Sequence, residues 1–197
     1  MAILLALILV AGVDAGRAAP PTQLPAPVQL LAPLPRLDPF VPHVEDRAPL
    51  LWAADEPVFV VVDRSCRTLS LYRDGKWVRT WHDIVFGRSA GVKRHEGDRR
   101  TPQGLYQVVG KRPHARWARF LLLDYPNPSD VEAHGAARQA GTIENGVGGA
   151  IGIHGSDAPL LNRAHVDWTL GCISLLDAEV RALARDVPVG TPVWIRP

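Results

Sequence analysis

Ala150-Ile151-Gly152-Ile153-His154-Gly155 is followed, with fourteen residues separating His154 from Thr169, by Thr169-Leu170-Gly171-Cys172-Ile173. The first run is short and apolar, so it reads as a strand. Its internal Gly152 signals close approach of another backbone. The strand ends on a histidine and a glycine. A second glycine precedes one of only two cysteines in the chain. A base at a strand end and a thiol in a glycine-bearing turn are the parts needed for nucleophilic acyl chemistry.

Working outward, Val58-Phe59-Val60-Val61-Val62 is a continuous apolar run and reads as a strand buried on both faces. Runs 68–72 and 77–81 alternate and flank Asp74-Gly75, a strong hairpin signal because both turn residues tolerate positive φ. Ile84-Val85-Phe86 extends or follows the second of these strands, and residues 87–100 read as a polar, basic loop. Runs 105–109, 120–125, 151–154 and 192–195 complete the strands. Asp130 is expected to cap a short helix running to Ala140, with Gly141 as its stop. Asp177 is expected to cap another, with Val180, Leu183, Ala184 and Val187 on its buried stripe. Strands dominate, so the fold class is mainly β, a β-rich α+β sandwich or barrel-like domain with small helices.

The chain is 197 residues long. Residues 1–19 open with an apolar run too short to span a bilayer comfortably and then turn to small residues. They read as a secretory signal peptide, with an uncleaved N-terminal anchor as the alternative. Residues 20–54 form a proline-rich linker, since nine of the 18 prolines fall between positions 20 and 49 and block both helix and ladder. Residues 55–197 form the folded domain. Two cysteines make no disulfide scaffold, and Cys66 is expected to be a small buried hydrophobe. Its pairing with Cys172 is an alternative that would silence the thiol.

Charge is uneven. Residues 64–119 hold 14 of the 22 Lys and Arg but only 4 of the 20 Asp and Glu. A basic half suits an anionic partner or a solvated surface. No recognition helix or aromatic RNA-binding motif accompanies it, so nucleic acid is not the expected partner.

A thiol attacks as thiolate, and a nearby imidazole or backbone amides favour that form. His154 can take the thiol proton, and Gly171 permits a turn whose N–H groups face an oxyanion. A cysteine before a helix also serves packing, and a histidine at a strand end also serves as a cap. A zinc set of His154, His165 and Cys172 lacks the close ligand pair usual for zinc.

The chain resembles the L,D-transpeptidase (YkuD-domain) family of cell-wall enzymes. That family carries a histidine, then 14 to 17 residues, then Ser/Thr-His-Gly-Cys. Here the match is His154, fourteen residues, then Thr169-Leu170-Gly171-Cys172. The segment Gly97-Asp98-Arg99-Arg100-Thr101-Pro102-Gln103-Gly104-Leu105-Tyr106, the hairpin at Leu71–Lys76 and the tail Val189-Gly190-Thr191-Pro192-Val193 agree in the same order. Two positions depart from the family. Its second histidine is Leu170, and the Arg or Asn two places after the cysteine is Ser174. Asp167-Trp168-Thr169-Leu170-Gly171-Cys172 is similar to a branch that includes YafK-like proteins, some of which cut wall crosslinks or attachments.

The resemblance implies the family's catalytic-domain β-sandwich, with Cys172 as nucleophile and His154 as general acid and base. Leu170, Gly171 and Gly155 would supply backbone to the site, the Gly155 carbonyl orienting the imidazole. Arg99, Arg100, Thr169 and Ser174 would meet substrate, and Arg88, Lys93 and Arg94 could meet its carboxylates. The implied substrates are peptidoglycan tetrapeptide stems, and carbapenems the implied inhibitors. No metal or organic cofactor is implied. A monomer exported to the periplasm, or tethered at the inner membrane, is expected.

Overall fold

A computed structural model describes residues 56–197. The expectations of export signal and linker lie outside the described residues. Eight strands run in the order β3-β2-β1-β8-β4-β5-β6-β7. β1 (Val58–Asp63) is buried along its whole length. Val58, Val60 and Val62 join the main core, and Phe59 and Val61 form a second cluster with Tyr72 and Trp194 on the other face. This is the two-faced burial that an unbroken apolar run demands. β2 (Thr68–Arg73) and β3 (Lys76–Trp81) pair antiparallel. Between them Asp74 and Gly75 both take positive φ, 49° and 70°, as the hairpin turn requires.

β4 (Gly104–His114) is much longer than the alternation at 105–109 implies. Its first residues pair with β8 (Pro192–Arg196), and from Val108 onward it pairs with β5 (Ala118–Leu123). A register shift between Val108 and Gly110 marks the handover. A bulge of this kind bends a strand and increases its twist. β4 therefore belongs to two sheets. One holds β1, β2, β3 and β8; the other holds β5, β6 (Gly152–His154) and β7 (Ile173–Ser174).

α1 (Pro128–Gln139) is capped by Asn127, not Asp130. The Asn127 side chain accepts from the Asp130 N–H at 3.0 Å, and Asp130 Oδ2 accepts from the Asn127 N–H at 3.0 Å. α2 (Pro159–Arg163) is one short turn with no counterpart in the sequence pattern. α3 (Asp177–Asp186) begins at Asp177 with Leu176 as its cap residue, and it buries Val180, Ala182 and Leu183. The Asp177 carboxylate serves elsewhere, accepting from the Ser156 N–H at 3.0 Å. Ile84-Val85-Phe86 is buried but belongs to no regular strand; Val85 exchanges two backbone bonds with Ser174, at 3.0 and 2.9 Å. Among the described residues no helix is long and apolar enough to cross a membrane.

Cys66 departs from expectation. It is exposed in the β1–β2 turn, where its N–H donates to Asp63 Oδ1 at 2.7 Å. Turn geometry, not apolar burial, places it there. Both cysteines are free.

Candidate functional site

β6 is held between β5 and β7, and the pairing sets Phe120 opposite His154 and Ser174 beside it. Gly152 makes this possible. A Cβ there would overlap the Phe120 ring and come 2.5 Å from the Leu121 carbonyl. His154 ends the strand with a side chain walled by aromatic rings. Trp117 stacks on it with centroids 4.2 Å apart, Phe120 lies nearly parallel at 5.9 Å, and Trp168 makes an edge-to-face contact at 5.8 Å.

The imidazole is 2% exposed. Its Nδ1 lies 2.6 Å from the Gly155 carbonyl. A carbonyl only accepts, so Nδ1 carries the proton and Nε2 keeps its lone pair. Burial pushes the His154 pKa down to about 4, outweighing the contact with Gly155. The ring is neutral at neutral pH. Gly155 has no room for a side chain, since a Cβ would overlap the Asp177 carboxylate and the Trp117 carbonyl.

Cys172 lies just before β7. Its loop is pinned by Thr169, whose hydroxyl donates to the Cys172 carbonyl at 2.7 Å and accepts from the Gly171 N–H at 3.1 Å. The loop is laid along residues 85–88 by Thr169 N–H to Phe86 O, 3.1 Å, and Arg88 N–H to Thr169 O, 3.1 Å. Asp167 ties the same loop to the β1–β2 turn through a two-point ion pair with Arg67, at 2.7 and 3.0 Å. Gly171 adopts φ 135°, and a Cβ would press on the Arg100 carbonyl, so glycine is required. The thiol sits 3.7 Å from the Ala150 carbonyl. Burial pushes its pKa up, against smaller opposing effects of the Gly152 backbone and Lys93. The resting pair is therefore neutral thiol and neutral imidazole, not the preformed thiolate that proximity to a histidine implies.

His154 and Cys172 line one cavity of ≈ 510 Å³. Thr169 and the 64% exposed Leu170 line it too, with the three aromatic rings around His154. Arg88, Arg112 and Arg116 border it. Of these, Arg88 belongs to the basic loop singled out in the sequence; Arg112 and Arg116 come from the β4–β5 hairpin. That hairpin and Trp117 were missed because residues 110–117 lack an alternating pattern, although a tryptophan between arginines was a usable signal.

Other expected contacts are placed differently. Arg99 borders a neighbouring recess of ≈ 380 Å³ on the far side of Leu170, with Lys93 and Glu96. Arg100 offers its carbonyl to the Gly171 turn and turns its side chain toward Gly91. The reason lies in Asp98, which gathers the loop inward. It accepts from Lys93 Nζ at 3.0 Å and from the N–H groups of Arg94, His95 and Arg100. Ser174 is fully buried, its hydroxyl donating to the Gly155 carbonyl at 3.2 Å. Neither Arg100 nor Ser174 lines the cavity. The Gly171 N–H is taken by Thr169, so it does not face an incoming oxyanion. His165 is exposed beyond α2, near Asp83, and among the described residues no three His, Cys, Asp or Glu side chains gather as metal ligands.

Residues 57–195 match the family model YkuD, the L,D-transpeptidase catalytic domain. Among solved structures, the helical cell shape determining protein Pgp2 from Campylobacter jejuni is 26% identical. The match covers 71% of this chain and 47% of that one, with a TM-score of 0.53. Bd1075 from Bdellovibrio bacteriovorus is 21% identical over 71% of this chain and 48% of its own, with a TM-score of 0.50, a likeness of fold alone. An L,D-transpeptidase from Mycobacterium smegmatis is 15% identical over 72% and 59%, with a TM-score of 0.48. The chain thus spans about half the length of these structures. No curated protein matches it.

Proposed function

The chain belongs to the L,D-transpeptidase catalytic-domain family, and from that premise we propose that it is a cysteine-dependent acyltransferase of peptidoglycan. Its donor is a tetrapeptide stem, cleaved at the carbonyl of the L-centre of diaminopimelate with D-alanine leaving. The observation that carries this reading is the shared cavity of Cys172 and His154, with Nδ1 tied to Gly155 and Nε2 left as base.

The proton inventory sets the first step. Thiol and imidazole both rest neutral, so Nε2 takes the thiol proton as sulfur attacks the carbonyl carbon. The N–H groups of Leu170 and Cys172 are the donors that receive the oxyanion. The imidazolium returns its proton to the departing D-alanine nitrogen, leaving a thioester on Cys172. An amine of a second stem, or water, then attacks the thioester with Nε2 again as base, and the thiol is restored. Arg88 and Arg112 meet stem carboxylates at the cavity rim, where guanidinium geometry favours paired contacts, while Arg116 is engaged by the Asp157 carboxylate. Export to the periplasm and a role in wall assembly and cell shape follow as part of the same reading.

Incubating the full chain with disaccharide-tetrapeptide and following D-alanine release by mass spectrometry tests this. Crosslinked dimers identify transpeptidation, and tripeptide alone identifies hydrolysis. No release, or equal release from Cys172→Ala, would overturn the catalytic reading in favour of a wall-binding domain. A carbapenem adduct on Cys172 is the expected companion result.

A further inference from the structure

Asn162 in α2 is completely buried and lies outside the cavity. It is the most heavily bonded side chain near the site. Its Nδ2 donates to the Asp83 carbonyl at 3.0 Å, to the Ser174 carbonyl at 3.0 Å and, more weakly, to Ser174 Oγ at 3.4 Å. Its Oδ1 accepts from Ser156 Oγ at 2.7 Å and from the Trp168 indole N–H at 3.1 Å. Both amide hydrogens and both oxygen lone pairs are used, which fixes the amide orientation.

These partners share a destination. Ser174 Oγ donates to the Gly155 carbonyl, the same oxygen that accepts from His154 Nδ1. Ser156 is the next residue along, and its N–H is held by Asp177. The peptide unit between Gly155 and Ser156 is thereby gripped at its oxygen by Ser174, at its nitrogen by Asp177, and just beyond it by Asn162 through the Ser156 hydroxyl. Trp168, held by the other end of Asn162, meets the imidazole in an edge-to-face contact. One amide therefore governs the acceptor that holds the ring's proton and one wall that limits the ring's rotation.

We propose that Asn162 is a positioning residue that keeps the His154 imidazole in its Nδ1–H tautomer, with Nε2 directed into the cavity, acting through Ser174 and Trp168. This rests on the proposed function only for its kinetic consequence; the tautomer itself is independent of it. Stacking on Trp117 and Phe120 cannot supply this constraint, because it holds the ring plane but is the same for the two ring orientations related by a half-turn about Cβ–Cγ and for both tautomers.

Imidazole-¹⁵N spectra of the full chain test it, with the His154 signals identified by their loss in His154→Gln. Wild type is expected as a single Nδ1–H tautomer. Asn162→Ala is expected to show exchange with the Nε2–H form and, where D-alanine release is measurable, a fall in kcat approaching 10²-fold at little-changed KM, of the order seen for small misplacements of catalytic groups. Ser174→Ala and Trp168→Phe each cut one arm while sparing the hub, and they decide the matter if Asn162→Ala does not fold. A smaller shift of the same kind in both supports the proposal. Folded variants that retain the wild-type tautomer overturn it, even if their melting temperatures fall. Absence of D-alanine release in wild type counts against the acyltransferase reading and leaves the tautomer result to decide this one.

Discussion

The indole of Trp117 lies over the imidazole of His154, centroids 4.2 Å apart and planes 20° from parallel. A ring so covered is shielded from water on that face, and desolvation disfavours its charged form. Burial is the largest cause of the low His154 pKa of about 4. Trp117→Ala opens the face, and the pKa is expected to climb toward the ordinary 6.5. NMR titration of the His154 ring measures it. A value still near 4 would assign the shift to the Gly152–His154 strand and not to the hairpin.

The same shift makes stability depend on pH. The native pKa lies below the unfolded one, so between about pH 4 and 6.5 the unfolded chain binds a proton that the native chain refuses. The contribution is complete above pH 6.5 and declines as pH falls. The loss totals about 3 kcal/mol once pH is below 4. Urea denaturation of wild type and His154→Gln across that range is expected to converge as the solution is acidified. Parallel curves would refute the burial account.

Thiol labelling separates the two cysteines. Cys66 is exposed and Cys172 has its thiol pKa raised by burial. Iodoacetamide at neutral pH is expected to modify Cys66 first, and the rate at Cys172 to keep rising with pH beyond the range of an ordinary thiol. Peptide mapping over time resolves the two. Faster labelling of Cys172 at neutral pH would mean a resting thiolate.

Gly155→Ala places a methyl group against the Asp177 carboxylate and the Trp117 carbonyl. Overpacking of this kind costs about 1–3 kcal/mol. For a domain of this size each kcal/mol lowers Tm by roughly 2–4 °C. Calorimetry is expected to show a drop of roughly 2–12 °C, and an unchanged Tm would show that the backbone yields there freely.

Local chemistry made parts of the fold readable. Asp74-Gly75 has only one economical conformation between two alternating runs, and Gly152 announced its close neighbour. The outer half of β4 was hidden because Gly110, Lys111 and Pro113 interrupt alternation, and its residues mostly face solvent. Asn127 was masked by the prolines around it, which read only as an end to the preceding strand. At the site, His154 and Cys172 were visible by type and spacing. Asn162 and the true place of Ser174 were not, because their bonds join segments that meet only after α2 folds back beside β7. Asp98 drew Arg100 away for a similar reason, since a carboxylate that collects backbone N–H groups leaves no mark in the sequence.

The handover in β4 has a consequence for how such a cavity can change. The reacting pair rides on β6 and the loop before β7, short pieces fastened by many cross-chain bonds. Arg112, Arg116 and Trp117 ride on the far end of a long hairpin whose root, at Tyr106 and Val108, is locked in the core, and whose tip is tied to the end of β6 by the Gly155 N–H, which donates to the Trp117 carbonyl at 3.0 Å. Of residues 111–118 at the tip, Ala118 alone joins that core. Substitutions at Arg112 can retune which anionic ligand the cavity accepts while the chemical pair stays as it is, whereas Trp117, stacked on His154, ties the hairpin to the base itself.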